Sequence, residues 1–298
     1  MPLAPDVQQL LVTLQQIGVG SLAQGTPQQA REAFRRLTID FRSPDQVPEV
    51  GSVEDVADGP VPLRVYEPEG QAVATVVYFH GGGFVIGSID THDTQVRNLC
   101  RWSGARVVSV DYRLAPEAPW PAGVEDSVAA TEWALGRFDR VAVGGDSAGG
   151  NLAAIVAQEL RDRLVAQLLI YPVVDHEPDA WGRYPSRTEN ADGYFLTAED
   201  MRYFDGHYTA DVPDRRAPRL SPLDGDLAGL PAAVVVTAEY DPLRDEGNAY
   251  AAALREAGVR VEHEQFPGLI HGFFGFGATV PSCGAAAERT VELFRGLL

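Results

Sequence analysis

The sequence predicts an α/β protein whose mostly parallel central sheet is covered by helices on both faces. Three observations carry this. Short apolar runs alternate with helix-period segments from about residue 60 to the end, and strands buried on both faces read as such runs. The composition is globular, 45% hydrophobic and 22% charged, which leaves no place for a disordered or fibrous chain. One stretch, 176–222, is rich in proline, charge and aromatics and interrupts the rhythm without offering a strand.

The elements follow in order. Residues 5–38 hold two helical patterns separated by Gly18, Gly20 and Gly25, and Thr26-Pro27 is a cap and first-turn start for the second. VPLRVYEP (61–68) and AVATVVYF (72–79) read as strands, then a helix from about Asp90 to Ser103, then a strand RVVSVDY (106–112). A helix over 123–136, a strand RVAVGG (140–145) and a helix from Ser147 to Arg163 come next. VAQLLIYPVV (165–174) is a strand. After the interruption AAVVVTAE (232–239) is another, followed by a helix from Arg244 to Ala257, a strand VRVEHEQF (259–266) and a closing helix over 284–298. An insertion like 176–222 in a compact α/β domain reads as a lid or cap.

Composition excludes whole classes of function. The chain has 298 residues, and one of about this length buries roughly three-quarters of its unfolded surface without needing staples. Cys100 and Cys283 are too few for a disulfide framework or a cysteine metal site. Acidic residues number 42 against 24 basic ones, giving −18, and every basic residue is arginine. Without lysine there is no Walker A loop, no Schiff base and no Ser-x-x-Lys acyl-transfer site. A field this negative repels nucleic acid and anionic membrane. MPLAPDVQQL has no basic leader region. Residues 72–89 carry no charge but contain four glycines and a histidine, so they read as a buried strand entering a glycine loop. A cytoplasmic protein is expected.

Chemistry concentrates at two glycine-rich stretches. In GGDSAGG (144–150) Gly145-x-Ser147-x-Gly149 fits a nucleophile elbow, a serine on a tight turn between strand and helix, and a strand and a helix flank it as that turn requires. Glycines suit such a turn because the backbones approach too closely for a Cβ. His80-Gly81-Gly82-Gly83 directly follows another strand. Acyl transfer needs backbone N–H donors aimed at a developing oxyanion, and a glycine loop can bring them close. The partner donor is expected from Ala148, the residue after the nucleophile.

On HGGGF (80–84), DYRLAPE (111–117), GDSAGGNLA (from Gly145), EYDPLRDEG (239–247) and HGF (271–273), in that order, the chain resembles the hormone-sensitive-lipase-like α/β-hydrolases, especially their bacterial carboxylesterases. The resemblance covers most of the chain from about residue 60. It implies a serine esterase on the α/β-hydrolase fold, acting on short- to medium-chain carboxylic esters. It also implies a cap built from an N-terminal helical segment and the insertion after the sixth strand. Residues 1–40 and 176–222 stand where these would be, within a single domain spanning 1–298.

The remaining catalytic residues follow from chain order, which in this fold runs serine, acid, histidine. His80 belongs to the oxyanion loop and is expected to hold it; His92 precedes the elbow. His176 and His207 lie in the expected cap, and His263 lies inside a strand. His271 follows the last strand in a loop, where the base must be. The acid must end the strand before, which points to Asp241, with Glu239, Asp245 and Asp175 as rivals. Asp146 is expected to pin neighbouring backbone, and DYRLAPE to support the glycine loop.

The expected chemistry is two-step acyl transfer by Ser147, His271 and Asp241. The oxyanion is held by two of Gly81, Gly82 and Gly83 together with Ala148, and Phe84 helps shape the pocket. No metal or cofactor is called for. The expected partner is a small-molecule ester, with a homodimer as an open alternative and no membrane insertion. Two rival readings are an amide or formamide hydrolase with the same triad and a small-molecule binding protein on the hydrolase fold.

Overall fold

The computed structural model describes residues 1–18, 21–23, 25–40, 42–43 and 46–298; the expected helix break at Gly20 lies outside them. One sheet contains β1 (Ser52–Val56), β2 (Leu63–Glu67), β3 (Thr75–Phe79), β4 (Arg106–Val110), β5 (Val141–Asp146), β6 (Ala166–Ile170), β7 (Ala232–Tyr240) and β8 (Val261–Ile270). Their order is β1-β2-β4-β3-β5-β6-β7-β8. β2 runs antiparallel to both its neighbours, and all other pairs are parallel.

The sheet has a core on each face because alternate strand residues point opposite ways. Val77 and Phe79 of β3 pack with α4 (Ala122–Leu135), α5 (Ala148–Leu160) and α9 (Arg244–Glu256). Val76 and Tyr78 pack with α3 (Ile89–Ser103) and α10 (Pro281–Arg295). All five residues of β3 are buried, as its unbroken apolar run requires.

Two departures from the sequence reading have physical causes. β1 was not expected, because SVEDV is exposed at four of its five positions and carries no apolar run; its acidic side chains suit an open sheet edge. β8 continues to Ile270, past the expected end at Phe266, although Pro267 lies within it. An edge strand tolerates proline, and its register against β7 shifts between Ala238 and Tyr240. This extension delivers residue 271 to the C-terminal end of the sheet.

The N-terminal segment forms α1 (Pro5–Gln16) and α2 (Pro27–Arg35), and the insertion forms α6 (Ala180–Arg183), α7 (Ser186–Glu189) and α8 (Ala198–Tyr208). α2 opens with the expected Thr26 cap, reinforced by a reciprocal bond with Gln29. The two segments touch. Ser21 Oγ and the Ala23 N–H donate to Asp200 Oδ1 at 2.5 and 2.9 Å, and the Tyr203 hydroxyl donates to Gly25 O at 3.2 Å. No helix among the described residues is long and apolar enough to cross a membrane.

A buried ion pair fastens the insertion to the core. Arg187 of α7 donates to Glu246 of α9 at 2.6 and 2.8 Å and to the Asp175 carbonyl at 2.7 Å, while Glu246 also accepts the Val174 N–H at 3.0 Å. Burial pushes the Glu246 carboxyl up, with Arg187 opposing. Glu246→Ala strands a buried guanidinium, so urea unfolding should show a loss of about 3–5 kcal/mol. A loss under about 1 kcal/mol, the range of exposed pairs, would mean that Arg187 is reached by water.

Candidate active site

The site begins at a collision of backbones. A Cβ on Gly145 would lie 2.3 Å from the backbone of Gly149, and one on Gly149 would lie 1.9 Å from Phe79 O. Only glycine fits at either position, so the chain passes from β5 to α5 in one step. Ser147 takes that step at φ 55°, a left-handed conformation that costs a serine of order 1–3 kcal/mol. Its N–H donates to Ile170 O at 2.8 Å, and its side chain stands at the C-terminal end of the sheet.

His271, at the end of the extended β8, places Nε2 3.0 Å from Ser147 Oγ and Nδ1 2.8 Å from Asp241 Oδ2. Asp241 is buried at the end of β7. Its Oδ1 accepts the Leu243 N–H at 2.8 Å, and its carbonyl accepts from Asn190 at 3.1 Å. The carboxylate accepts from Nδ1–H, which leaves the Nε2 lone pair facing the serine hydroxyl.

The rival acids are occupied elsewhere. Asp175 binds Arg183 at 2.6 Å and the Glu177 N–H at 2.9 Å. Glu239 accepts the Gly268 N–H at 2.7 Å, and Asp245 accepts the Ser186 N–H at 2.8 Å. The other histidines also have partners: His176 meets Asp205 at 3.0 Å, His263 meets Asn248 at 2.9 Å, and His207 packs edge-on to Tyr203.

His80 aims the glycine loop. Its Nδ1 lies 2.8 Å from Gly81 O, which can only accept, so Nδ1 carries the proton. Burial and neighbouring His92 pull its pKa down to about 3, so the ring stays neutral. The Gly81 carbonyl shares a rigid peptide plane with the Gly82 N–H, so holding one aims the other. The Gly82 carbonyl accepts the N–H groups of Val85 and Ile86 at 3.1 and 2.9 Å, which in turn aims the Gly83 N–H. Tyr112, from DYRLAPE, stacks on His80 and donates to its carbonyl at 2.8 Å.

Gly81 departs from the expectation. Its own N–H donates to Asp146 Oδ1 at 3.1 Å and is therefore unavailable to a ligand. The N–H groups of Gly82, Gly83 and Ala148 have no acceptor among the described residues. Asp146 also accepts from Tyr78 at 2.7 Å and Gln95 at 3.1 Å, and His92 Nε2 lies 3.7 Å away. Burial pushes its carboxyl up, but His92 and Tyr78 outweigh that and hold it below the usual range. The sequence assigns no site role to Tyr78, Gln95 or Asn190. No motif marks them, because they meet the site only across the fold.

A cavity of about 630 Å³ opens over Ser147 and His271. Leu10, Leu14 and Phe34 of the N-terminal segment and Phe195, Leu196 and Phe204 of the insertion line it. Phe84 lines it too, at φ 63° and stacked on Tyr208 at 3.8 Å. No cluster of three or more histidine, cysteine or carboxylate side chains suited to a metal ion occurs among the described residues.

Residues 76–275 match the family model described as alpha/beta hydrolase fold. Carboxylesterase NlhH of Mycobacterium tuberculosis is 41% identical, covering 99% of this chain and 97% of its own. Esterase LipI of the same organism is 41% identical over 90% of this chain and 88% of its own. Among solved structures, the hyperthermophilic esterase of the archaeon Pyrobaculum calidifontis superposes with a TM-score of 0.90 at 39% identity, over 99% of both chains.

A Cβ on Gly81 would stand 2.4 Å from Asp146 Oδ2. Gly81→Ala should displace that carboxylate and lower kcat on p-nitrophenyl butyrate by about 10- to 100-fold. An unchanged kcat in a folded variant would show that Asp146 does not set the loop.

Proposed function

The chain belongs to the hormone-sensitive-lipase-like α/β-hydrolases and is a carboxylic ester hydrolase, and from that premise we propose that it works through an acyl-enzyme on Ser147. The observation that carries this reading is the hydrogen-bonded line from Ser147 Oγ through His271 to Asp241, at 3.0 and 2.8 Å. In the first step Ser147 Oγ attacks the ester carbonyl carbon while His271 Nε2 takes the hydroxyl proton. Asp241 holds the imidazole in the required tautomer and stabilises the imidazolium. The carbonyl oxygen becomes an oxyanion against the N–H groups of Gly82, Gly83 and Ala148. Collapse expels the alcohol, protonated by His271. Water then repeats the sequence and releases the carboxylic acid.

The substrate is a small-molecule ester, and we assign it a short- to medium-length acyl chain. The N-terminal segment and the insertion both line the cavity and bond to each other, which supports their acting as one cap. Such a roof excludes water and limits acyl length. Phe84 forms part of the pocket wall.

Ser147→Ala should lower turnover by about 10⁶ and abolish labelling by a fluorophosphonate probe; labelling that persists would remove Ser147 from the mechanism. Asp241→Asn should fold and bind ester while kcat falls by roughly 10³–10⁴, whereas Asp175→Asn should change turnover little. An exchange of those two results would move the acid to Asp175. Butyrate and hexanoate esters should turn over faster than palmitate esters, and a reversed order in a chain-length series would refute the assigned acyl length.

A further inference from the structure

The oxyanion loop is held from both sides. From within the domain, Asp146 takes the Gly81 N–H and Tyr112 takes the His80 carbonyl. From the N-terminal segment, Arg31 of α2 reaches across the outside of the same loop. Its Nε donates to Val85 O at 2.8 Å, and Nη2 donates to Ala115 O at 2.8 Å. Nη1 and Nη2 also hold Glu117 at 2.9 and 2.6 Å. The two loops that Arg31 bridges are themselves joined, by the Ala115 N–H on Phe84 O at 2.9 Å.

Val85 is a lever. Its N–H and that of Ile86 fix the Gly82 carbonyl, and that peptide plane carries the Gly83 N–H. Whatever holds Val85 therefore helps set the direction of an N–H that faces the reacting carbonyl. Arg31 itself does not line the cavity, so it cannot act by touching substrate. Its planar fork serves three acceptors at once, which a lysine ammonium on the same stem cannot do. α2 is seated firmly enough to transmit the grip, since Ala30 is buried in the main core and Thr26 caps the helix.

We infer that Arg31 is a positioning residue of ester hydrolysis: it clamps Val85 and Ala115 from α2, so that docking of the N-terminal segment also sets the oxyanion donors. The N-terminal segment then does more than roof the pocket; it completes the geometry in which charge develops. This rests on the reading that Gly82 and Gly83 are those donors.

The test compares Arg31→Ala and Arg31→Lys with the full-length enzyme in three measurements: kcat, KM on p-nitrophenyl butyrate, and inhibition by an alkyl trifluoromethyl ketone. That inhibitor adds reversibly to an active serine and mimics the tetrahedral state. The expected result is a fall in kcat of about 10- to 100-fold, a KM within about threefold of wild type, and inhibitor affinity weakened in proportion to kcat. Arg31→Lys should recover only part of the loss. A raised KM with kcat and inhibitor affinity intact would make Arg31 a cap tether and overturn the inference, as would a fall in kcat with inhibitor affinity unchanged. If Arg31→Ala fails to fold, Arg31→Lys decides by the same criteria. Wild-type enzyme that ignores the ketone would instead defeat the acyl-enzyme reading, which separates the two failures.

Discussion

The close approach of the elbow to the end of β3 governs the rest of this structure. Gly145 and Gly149 pack against each other and against Phe79 O so tightly that no Cβ fits. That contact forces Ser147 into a left-handed conformation and points its hydroxyl out of the sheet. Strain at one residue persists only where surrounding structure over-determines it. Here the Ser147 N–H on Ile170 O and the pairing of β3 with β5 supply that surplus. The same contact places residue 80, the first after β3, beside the elbow, with its carbonyl oxygen 2.7 Å from where a Cβ on Gly149 would stand. One steric constraint thus brings together Ser147 and the glycine loop.

Around that contact the fold spends its buried polar groups on aiming backbone. Asp146 gathers Tyr78, Gln95 and the Gly81 N–H around one carboxylate oxygen. A nearby imidazole and hydrogen bonds outweigh burial, which alone would raise it, and hold its carboxyl below the usual range. His80 is held neutral by burial, and a neutral ring with its proton on Nδ1 is what the Gly81 carbonyl needs. Each fixes a peptide plane, and a fixed dipole needs no reorganisation when charge appears.

The N-terminal segment and the insertion are attached by arginine. In a chain without lysine, the guanidinium fork does the bridging: Arg187 joins α7 to α9, Arg183 holds Asp175 and Glu177, and Arg31 joins α2 to two loops. An exposed pair such as Arg31 with Glu117 contributes little stability, unlike the buried Arg187–Glu246 pair. The geometric return is larger, because a planar fork with several acceptors fixes the relative placement of the segments it joins.

The chain by itself determined what depends on local sequence. Strand and helix rhythm predicts a mostly parallel sheet, the glycine spacing around Ser147 predicts the elbow, a strand end points to Asp241, and chain order points to His271; that β8 runs on to Ile270 and so delivers His271 to Asp241 is decided by the packed sheet. β1 escaped notice, since an exposed edge strand carries no apolar run. Which glycines keep free N–H groups was not legible, because it depends on Asp146 capturing the Gly81 N–H across 65 residues of sequence. Tyr78, Gln95, Asn190 and Arg31 are equally silent in the sequence: the first two meet the Asp146 carboxylate, and the other two meet backbone carbonyls far away in the chain. Periodicity reports which way a side chain faces, but only the packed tertiary structure decides which backbone dipole it meets there.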